Sequence, residues 1–245
     1  MTMPGPRSAL TTLATTTVVL SAALLLNACA PAQSGGPAPS PATFVPAPGE
    51  VFAGIDDVGD MGLWMITRDL KNATWLGEKY KGRILREPVN VILIDKFAPT
   101  PEAATARMLE SMNKAGYGPK GGHSTGYFGY LNGRLYAQYP QGSGEAFSDG
   151  PWWKSNNHGR MFGPVKTSGG YVFIGAVSAE DFRLLPSPGH SFNNFMIARE
   201  NLADQLTANT VFKKKGYIDL KAKIDTATET TADHDGCAVI LVARE

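Results

Sequence analysis

The chain has 245 residues, 43% of them hydrophobic and 18% charged, with 27 Gly and 17 Pro. This composition is near the soluble average and excludes a wholly disordered, collagenous or polytopic membrane chain. Lys+Arg 23 against Asp+Glu 22 leaves a net charge of +1, without the basic excess of a nucleic-acid binder.

The first 49 residues hold one charged side chain, Arg7, and the first acid is Glu50. After Arg7, residues 13–26 form an apolar stretch diluted by Thr15, Thr16, Thr17 and Ser21. A positive start, a short apolar run and small residues describe a secretory signal. The run falls short of the roughly 20 residues a spanning helix needs. Its end, Leu26-Asn27-Ala28-Cys29, resembles the bacterial lipoprotein lipobox. That resemblance implies removal of a signal peptide, residues 1–28, and a new N-terminus at Cys29 carrying diacylglycerol and palmitate-type acyl chains. Each buried CH₂ is worth about 0.8 kcal/mol, so two or three chains hold a protein durably on a membrane surface.

Residues 29–48 add a Pro/Gly/Ser-rich linker to the lipidated cysteine, with six of the 17 prolines in residues 30–48. Its prolines favour an extended, stiff chain, and 19 residues at about 3 Å each span roughly 60 Å. The expectation is an extracytoplasmic domain, residues 49–245, held at the periplasmic or cell-surface side of a membrane by its lipid. From Cys29 onward the chain has 22 basic and 22 acidic residues. Cys237 is the only other cysteine, which leaves no internal disulfide framework. Its setting, GCAVILVA, reads as a buried strand with an inert core thiol.

Within the domain, residues 63–67 (LWMIT) predict a short strand and 89–94 (VNVILI) a firmer one. Residues 101–115 predict a helix. Thr100 caps it, Pro101 suits its first turn, Glu102 sits at the positive dipole end and Gly116 stops it. Met108, Leu109 and Met112 give it an apolar stripe. Aromatics and glycines alternate over 126–139 around Asn132-Gly133, a hairpin signal. Residues 171–177 (YVFIGAV) predict a strand. Residues 192–206 predict an amphipathic helix with Ser191 as N-cap and Phe195, Ile197, Leu202 and Leu206 partly inward. Residues 218–224 and 237–243 read as a closing antiparallel pair, and Lys213 to Lys215 as a solvated basic face. The fold class expected is α+β, a mixed or antiparallel sheet with two main helices, in a single domain after a disordered tether.

Chemistry concentrates around three of the four histidines: His123 in GGHSTG, His158 in SNNHGR and His190 in SPGHSF. Each is flanked by Gly and small polar residues and reads as a loop residue, where sites tend to be built. In one reading the three imidazoles converge on a metal, zinc above all, with Asp149 completing the shell and an open position left for catalysis. In a second, His158 and Arg160 form a metal-free polar pocket with Asn156, Asn157, Ser124 and Ser191. Arg160 offers a planar fork for phosphate or carboxylate, and a neutral His acts as general base in hydrolysis or transfer at a phosphate or acyl centre. In the third, the histidines only brace loops and cap helices. The G-x-S-x-G match at residues 122–126 (GHSTG) neither follows a predicted strand nor opens a predicted helix, as a nucleophile elbow must, so a Ser/His/Asp triad is not indicated.

Two stretches carry a further resemblance. One runs through Trp75-Leu76-Gly77 and Arg86-Glu87-Pro88-Val89-Asn90-Val91-Ile92-Leu93-Ile94 to a helix ending in Ala115-Gly116. The other joins His158-Gly159-Arg160-Met161-Phe162, Ile174-Gly175-Ala176-Val177-Ser178 and His190 to Ala198-Arg199-Glu200-Asn201-Leu202-Ala203-Asp204. In this order they resemble the LssY-type C-terminal domain. That family's domain accompanies membrane phosphatase or transporter-like modules, which implies an envelope role and transfers no catalytic residue. Together these readings predict a membrane-anchored lipoprotein that binds a small or envelope-derived ligand at a pocket around His123, His158, Arg160 and His190. The alternatives are a hydrolase at the same pocket and a structural envelope protein without one.

Overall fold

A computed structural model describes Met1 and residues 44–54, 58–185 and 188–245. The signal segment beyond Met1, Cys29 and most of the linker lie outside the described residues. The chain begins with β1 (Val51–Phe52), β2 (Met61–Gly62), β3 (Thr74–Tyr80), β4 (Arg83–Arg86), β5 (Val91–Asp95) and α1 (Pro101–Lys114). It continues through β6 (Pro119–Lys120), β7 (Phe128–Leu131), β8 (Arg134–Tyr139), β9 (Ala146–Ser148), β10 (Asn156–Thr167) and β11 (Gly170–Arg183). It closes with β12 (Gly189–Asn194), α2 (Met196–Asn209), β13 (Phe212–Asp219), β14 (Glu229–Thr230) and β15 (Cys237–Ala243).

The architecture is α+β, with a curled mixed sheet and two helices. Along the main path the strand order is β1-β2-β7-β8-β10-β11-β5-β15-β13, with β12 added to β11 and β9 to β10. Pairing is antiparallel except where β15 lies parallel to β5, Val239 opposite Val91, and where β14 lies parallel to β4, Glu229 opposite Ile84. A separate ribbon, β14-β4-β3, completes the fold.

Both faces of the central strands are covered, which is why VILID of β5 is buried at every position instead of alternating. On one face Leu93, Phe173 and Met161 pack with Met108 of α1 and Leu202 and Leu206 of α2. On the other Ile92, Ile174 and Phe162 pack with Trp64 and Met65. The helix α1 starts where expected: Thr100 Oγ1 accepts from the Ala103 amide at 3.2 Å. The hairpin of β7 and β8 also follows the expected turn. Asn132 and Gly133 have φ of 44° and 79°, the pair of positive values a type I′ turn requires.

Elsewhere the expectations need correction. Residues 63–67 form isolated bridges, Trp64 to Pro88 and Ile66 to Phe128, not a regular strand. Residues 192–194 belong to β12, and α2 begins at Met196. Its first amides are not capped by Ser191. Asp233 accepts from Phe195 and Met196 at 2.9 Å each, and Asn194 Oδ1 from Ile197 at 2.6 Å. Phe195, Leu202 and Leu206 are fully buried, but Ile197 is 57% exposed. The strand pairing with β15 is 212–219, not 218–224, and it contains the lysine run. Lys213 Nζ donates to the Thr207 and Thr210 carbonyls at the end of α2, and Lys214 pairs with Glu200 at 2.6 Å. That run is therefore mostly tied to α2, and only Lys215 is exposed.

Two tests follow from this packing. Leu202→Ala is expected to lower unfolding free energy by about 2–5 kcal/mol, and Ile197→Ala by no more than about 0.5 kcal/mol, in urea titrations; equal effects would contradict the placement of α2. His234 is fully buried and both its ring nitrogens lack a hydrogen-bond partner. Burial, helped by the charges of Arg199 and Lys223 and opposed by Asp235, pushes its pKa down to about 4. The unfolded chain therefore binds an extra proton below the ordinary His range near 6.5, and stability falls as pH drops from there toward 4. His234→Leu is expected to flatten that fall by about 1.4 kcal/mol per pH unit; an unchanged slope would contradict the burial of a neutral imidazole.

Candidate functional site

The site grows from the hairpin of β10 and β11. Successive side chains of a strand point to opposite faces, so Phe162, Arg160, His158 and Asn156 of β10 share one face. Ile174, Ala176, Ser178 and Glu180 of β11 share it too, with His158 opposite Ser178 and Asn156 opposite Glu180. Toward the middle of the hairpin this face is apolar; toward its open end it turns polar while still buried. Asn156, His158, Arg160, Ser178 and Glu180 are each no more than 6% exposed. On the other side of β11, β12 sets His190 opposite Phe182, one alternate position beyond Glu180 on the same face. Strands thus supply His158 and His190, contrary to the expectation of three loop histidines.

His123 alone arrives on a loop, between β6 and β7. Gly122 before it has φ of 91°, and a Cβ there would lie 2.5 Å from the Trp152 ring, so the loop seats against that ring only with glycine. The His123 amide donates to the Gly144 carbonyl at 2.9 Å. The His123 and His158 rings then stack, with centroids 4.9 Å apart and planes at 24°.

Glu180 is the hub, and it was not among the residues singled out from the sequence. His158 Nδ1 is 3.6 Å from its Oε2, and His190 Nδ1 is 2.8 Å from its Oε1. The His190 approach is bent, since that nitrogen has no well-angled hydrogen-bond partner. Asn156 Nδ2 donates to Oε1 at 2.8 Å, and Ser148 Oγ fixes the amide by donating to its Oδ1 at 3.0 Å. Burial opposes the charge on Glu180, but His158, His190 and the Asn156 amide outweigh it and bring the pKa down to about 2. Burial does the reverse to the imidazoles. It is the largest cause holding His158 to about 4 and His123 to about 3, reinforced by Arg160 and opposed by Glu180. At neutral pH Glu180 is a carboxylate facing the neutral imidazoles of His158 and His123.

Arg160 does not present a free fork. Its Nη2 donates to the Ser124 carbonyl and hydroxyl at 2.8 and 3.2 Å, and its guanidinium lies 4.8 Å from the centroid of the Tyr127 ring. The Tyr127 hydroxyl donates to Ser124 Oγ at 3.0 Å. Arg160 and Ser124 line the cavity, but their bonds lock the loop that carries His123. Asp149 does not complete a ligand shell. Its carboxylate accepts from the Asn157 amide and side chain at 2.8 and 2.6 Å, which braces the turn before β10 and takes Asn157 with it. Ser191, on the alternate position of β12, does not line the cavity.

Glu87, just after β4, is a second buried carboxyl near the site and was also unforeseen. Burial pushes its pKa up to about 7, with Glu180 adding and Arg160 opposing. Above the pocket Trp75 Nε1 of β3 donates to Ser178 Oγ at 3.1 Å, and Leu76 closes the cavity wall. Roomier grooves lie elsewhere, one of about 690 Å³ beside Glu50, Lys71 and Arg86 and one of about 550 Å³ between α1 and the C-terminal Arg244 and Glu245, and neither contains these histidines. Cys237 opens β15, half-buried, with burial first and Asp235 and Asp219 next in pushing its thiol pKa up, the setting of an unreactive thiol.

Arranged this way, the residues can hold one small species between two imidazoles and a carboxylate, or move a proton among them. No protein-family model, curated protein or solved structure matches the chain.

Proposed function

We propose that the protein is a membrane-anchored envelope lipoprotein whose α+β unit acts as one extracytoplasmic domain and binds a small ligand in the pocket of His123, His158, Glu180 and His190. The observation that carries the binding reading is convergence. Residues from one loop and three strands, far apart in sequence, meet around a carboxylate that is 3% exposed. Buried charge is retained in proteins where it is paired or where it binds something, and here the His158 ring beside the carboxylate is itself held neutral by burial. A purely bracing role explains less, because a brace needs no unpartnered ring nitrogens. The anchoring half of the proposal rests on Leu26-Asn27-Ala28-Cys29 and the proline-rich residues after it, and the likeness to LssY-type domains is in keeping with an envelope location. Among the described residues no helix is long and apolar enough to cross a membrane.

Hydrolysis at the same pocket is the second reading, and Glu87 favours it: a buried carboxyl titrating near 7 suits a general base at neutral pH. Turnover of p-nitrophenyl phosphate or p-nitrophenyl acetate that Glu87→Gln abolishes in a folded protein would select the hydrolase. No turnover of either ester selects the binding module. For the anchor, Cys29→Ser is expected to move the protein from the membrane fraction to the soluble fraction, and the wild-type mature chain to begin at an acylated Cys29 by mass spectrometry. A serine variant that still sediments with membranes would overturn lipid anchoring.

A further inference from the structure

The enclosed part of the pocket is small. Its cavity measures about 20 Å³, room for a single particle of the size of water. Three potential donors face it: His123, His158 and Glu180 each offer one ligating atom, and these atoms lie within 4.8 Å of one another. The 3.6 Å between His158 Nδ1 and Glu180 Oε2 is close to the roughly 3.4 Å edge of a tetrahedral shell with bonds of about 2.1 Å. His158 is 5% exposed. Its Nδ1 and the Nε2 of His123 are buried without a hydrogen-bond partner. Burying such atoms unpaired is unfavourable, and a particle that takes up their lone pairs relieves it.

Whether that particle is a cation or an anion follows from the surrounding charges. Two imidazoles and a carboxylate present lone pairs and a net negative charge. The nearest positive group, Arg160, is turned to the Ser124 carbonyl and the Tyr127 ring. Oε1 of Glu180 is engaged by Asn156 and His190, which leaves Oε2 on the His158 side. Outer groups that fix one carboxylate oxygen and aim the other are the usual second layer of a metal site.

We infer that His123, His158 and Glu180 form a binding site for a divalent transition metal of the zinc class, with Asn156 and His190 as positioning residues. The inference rests on the pocket reading above and names its ligand. Two nitrogens and one oxygen suit zinc and its neighbours, whereas calcium and magnesium take oxygen ligands. Three protein ligands leave a fourth position for water or another small donor. The adjustment needed to close the shell is on the order of 1 Å for bonds of the usual length, and it falls to His123, the ligand on a loop.

The test is titration of the full chain with Co²⁺ and Zn²⁺, followed by calorimetry and by the visible d–d absorption of bound cobalt. One ion per chain is expected, with His123→Ala and Glu180→Gln each weakening affinity by about 100-fold or more and His190→Ala by about 10- to 100-fold. Ser191→Ala, outside the cavity, is expected to bind normally. Should Glu180→Gln fail to fold, His123→Ala decides, since its side chain is only partly buried on a loop. Absence of one-to-one binding, or binding that neither variant weakens, overturns the metal assignment. If phosphate binds in an Arg160-dependent way while both metals do not, the metal assignment fails and the pocket reading stands. If neither metal nor phosphate binds, both fail.

Discussion

The arrangement depends on keeping one carboxylate ionised inside the protein. Glu180 is 3% exposed, and a lone buried carboxylate would neutralise itself by taking up a proton. It stays charged because β10 and β12 flank β11 and deliver Asn156, His158 and His190 to the same face. Each of those side chains is in turn fixed by sheet register and not by a flexible loop. The price falls on His158 and on the His123 ring stacked against it, which burial holds neutral. Charge and lone pairs are thus sorted onto different residues a few ångströms apart.

That sorting explains why the same hairpin holds both core and site. Along β10 the residues on the site face run Asn156, His158, Arg160, Phe162, and along β11 Glu180, Ser178, Ala176, Ile174. The register keeps polar opposite polar at one end and apolar opposite apolar at the other. No separate scaffold is needed, because the apolar half of each strand positions the polar half. Arg160 stands at the boundary. Its bonds to Ser124 reach across to the loop and set where His123 stands, so loop and sheet are joined by a buried cation.

The elements the sequence reveals best are those whose signals are local. Thr100-Pro101 at the start of α1 and Asn132-Gly133 in the β7–β8 turn specify their own geometry within a few residues. The start of α2 is obscured because its cap is Asp233, 38 residues from Phe195. β10 is obscured for the opposite reason. Its inward positions are polar, so a buried strand carries the pattern of an exposed loop, and His158 reads as one more loop histidine. Glu180 hides behind the same effect, at the end of an apolar run where an acid looks like the edge of the core. Only its two-residue spacing from Ser178, set against the same spacing in Asn156-Asn157-His158, would have pointed inward. Asp149, in a glycine turn, carries a louder sequence signal, yet it spends both its oxygens on Asn157.

Part of the cavity wall comes from the β3–β4 ribbon. The register of β3 against β4 slips between Thr74 and Lys79, and within that slip Leu76 and Gly77 have φ of 47° and 72°. For leucine a left-handed backbone is unfavourable by roughly 1–2 kcal/mol, so the neighbouring structure must enforce it. Trp75 does so from one side: it is 1% exposed, packs edge-on to Phe192 at 5.9 Å and is bonded to Ser178. A bulge of this kind re-aims a side chain, and the side chain it re-aims is Leu76, which lines the cavity while 42% exposed. At that point one part of the cavity wall is an aliphatic side chain that also faces solvent. An apolar side chain there keeps water from part of the cavity, which strengthens the electrostatic contacts behind it. The site therefore draws on both sheets, its strand-borne donors on β10, β11 and β12 and part of its wall on the β3–β4 ribbon.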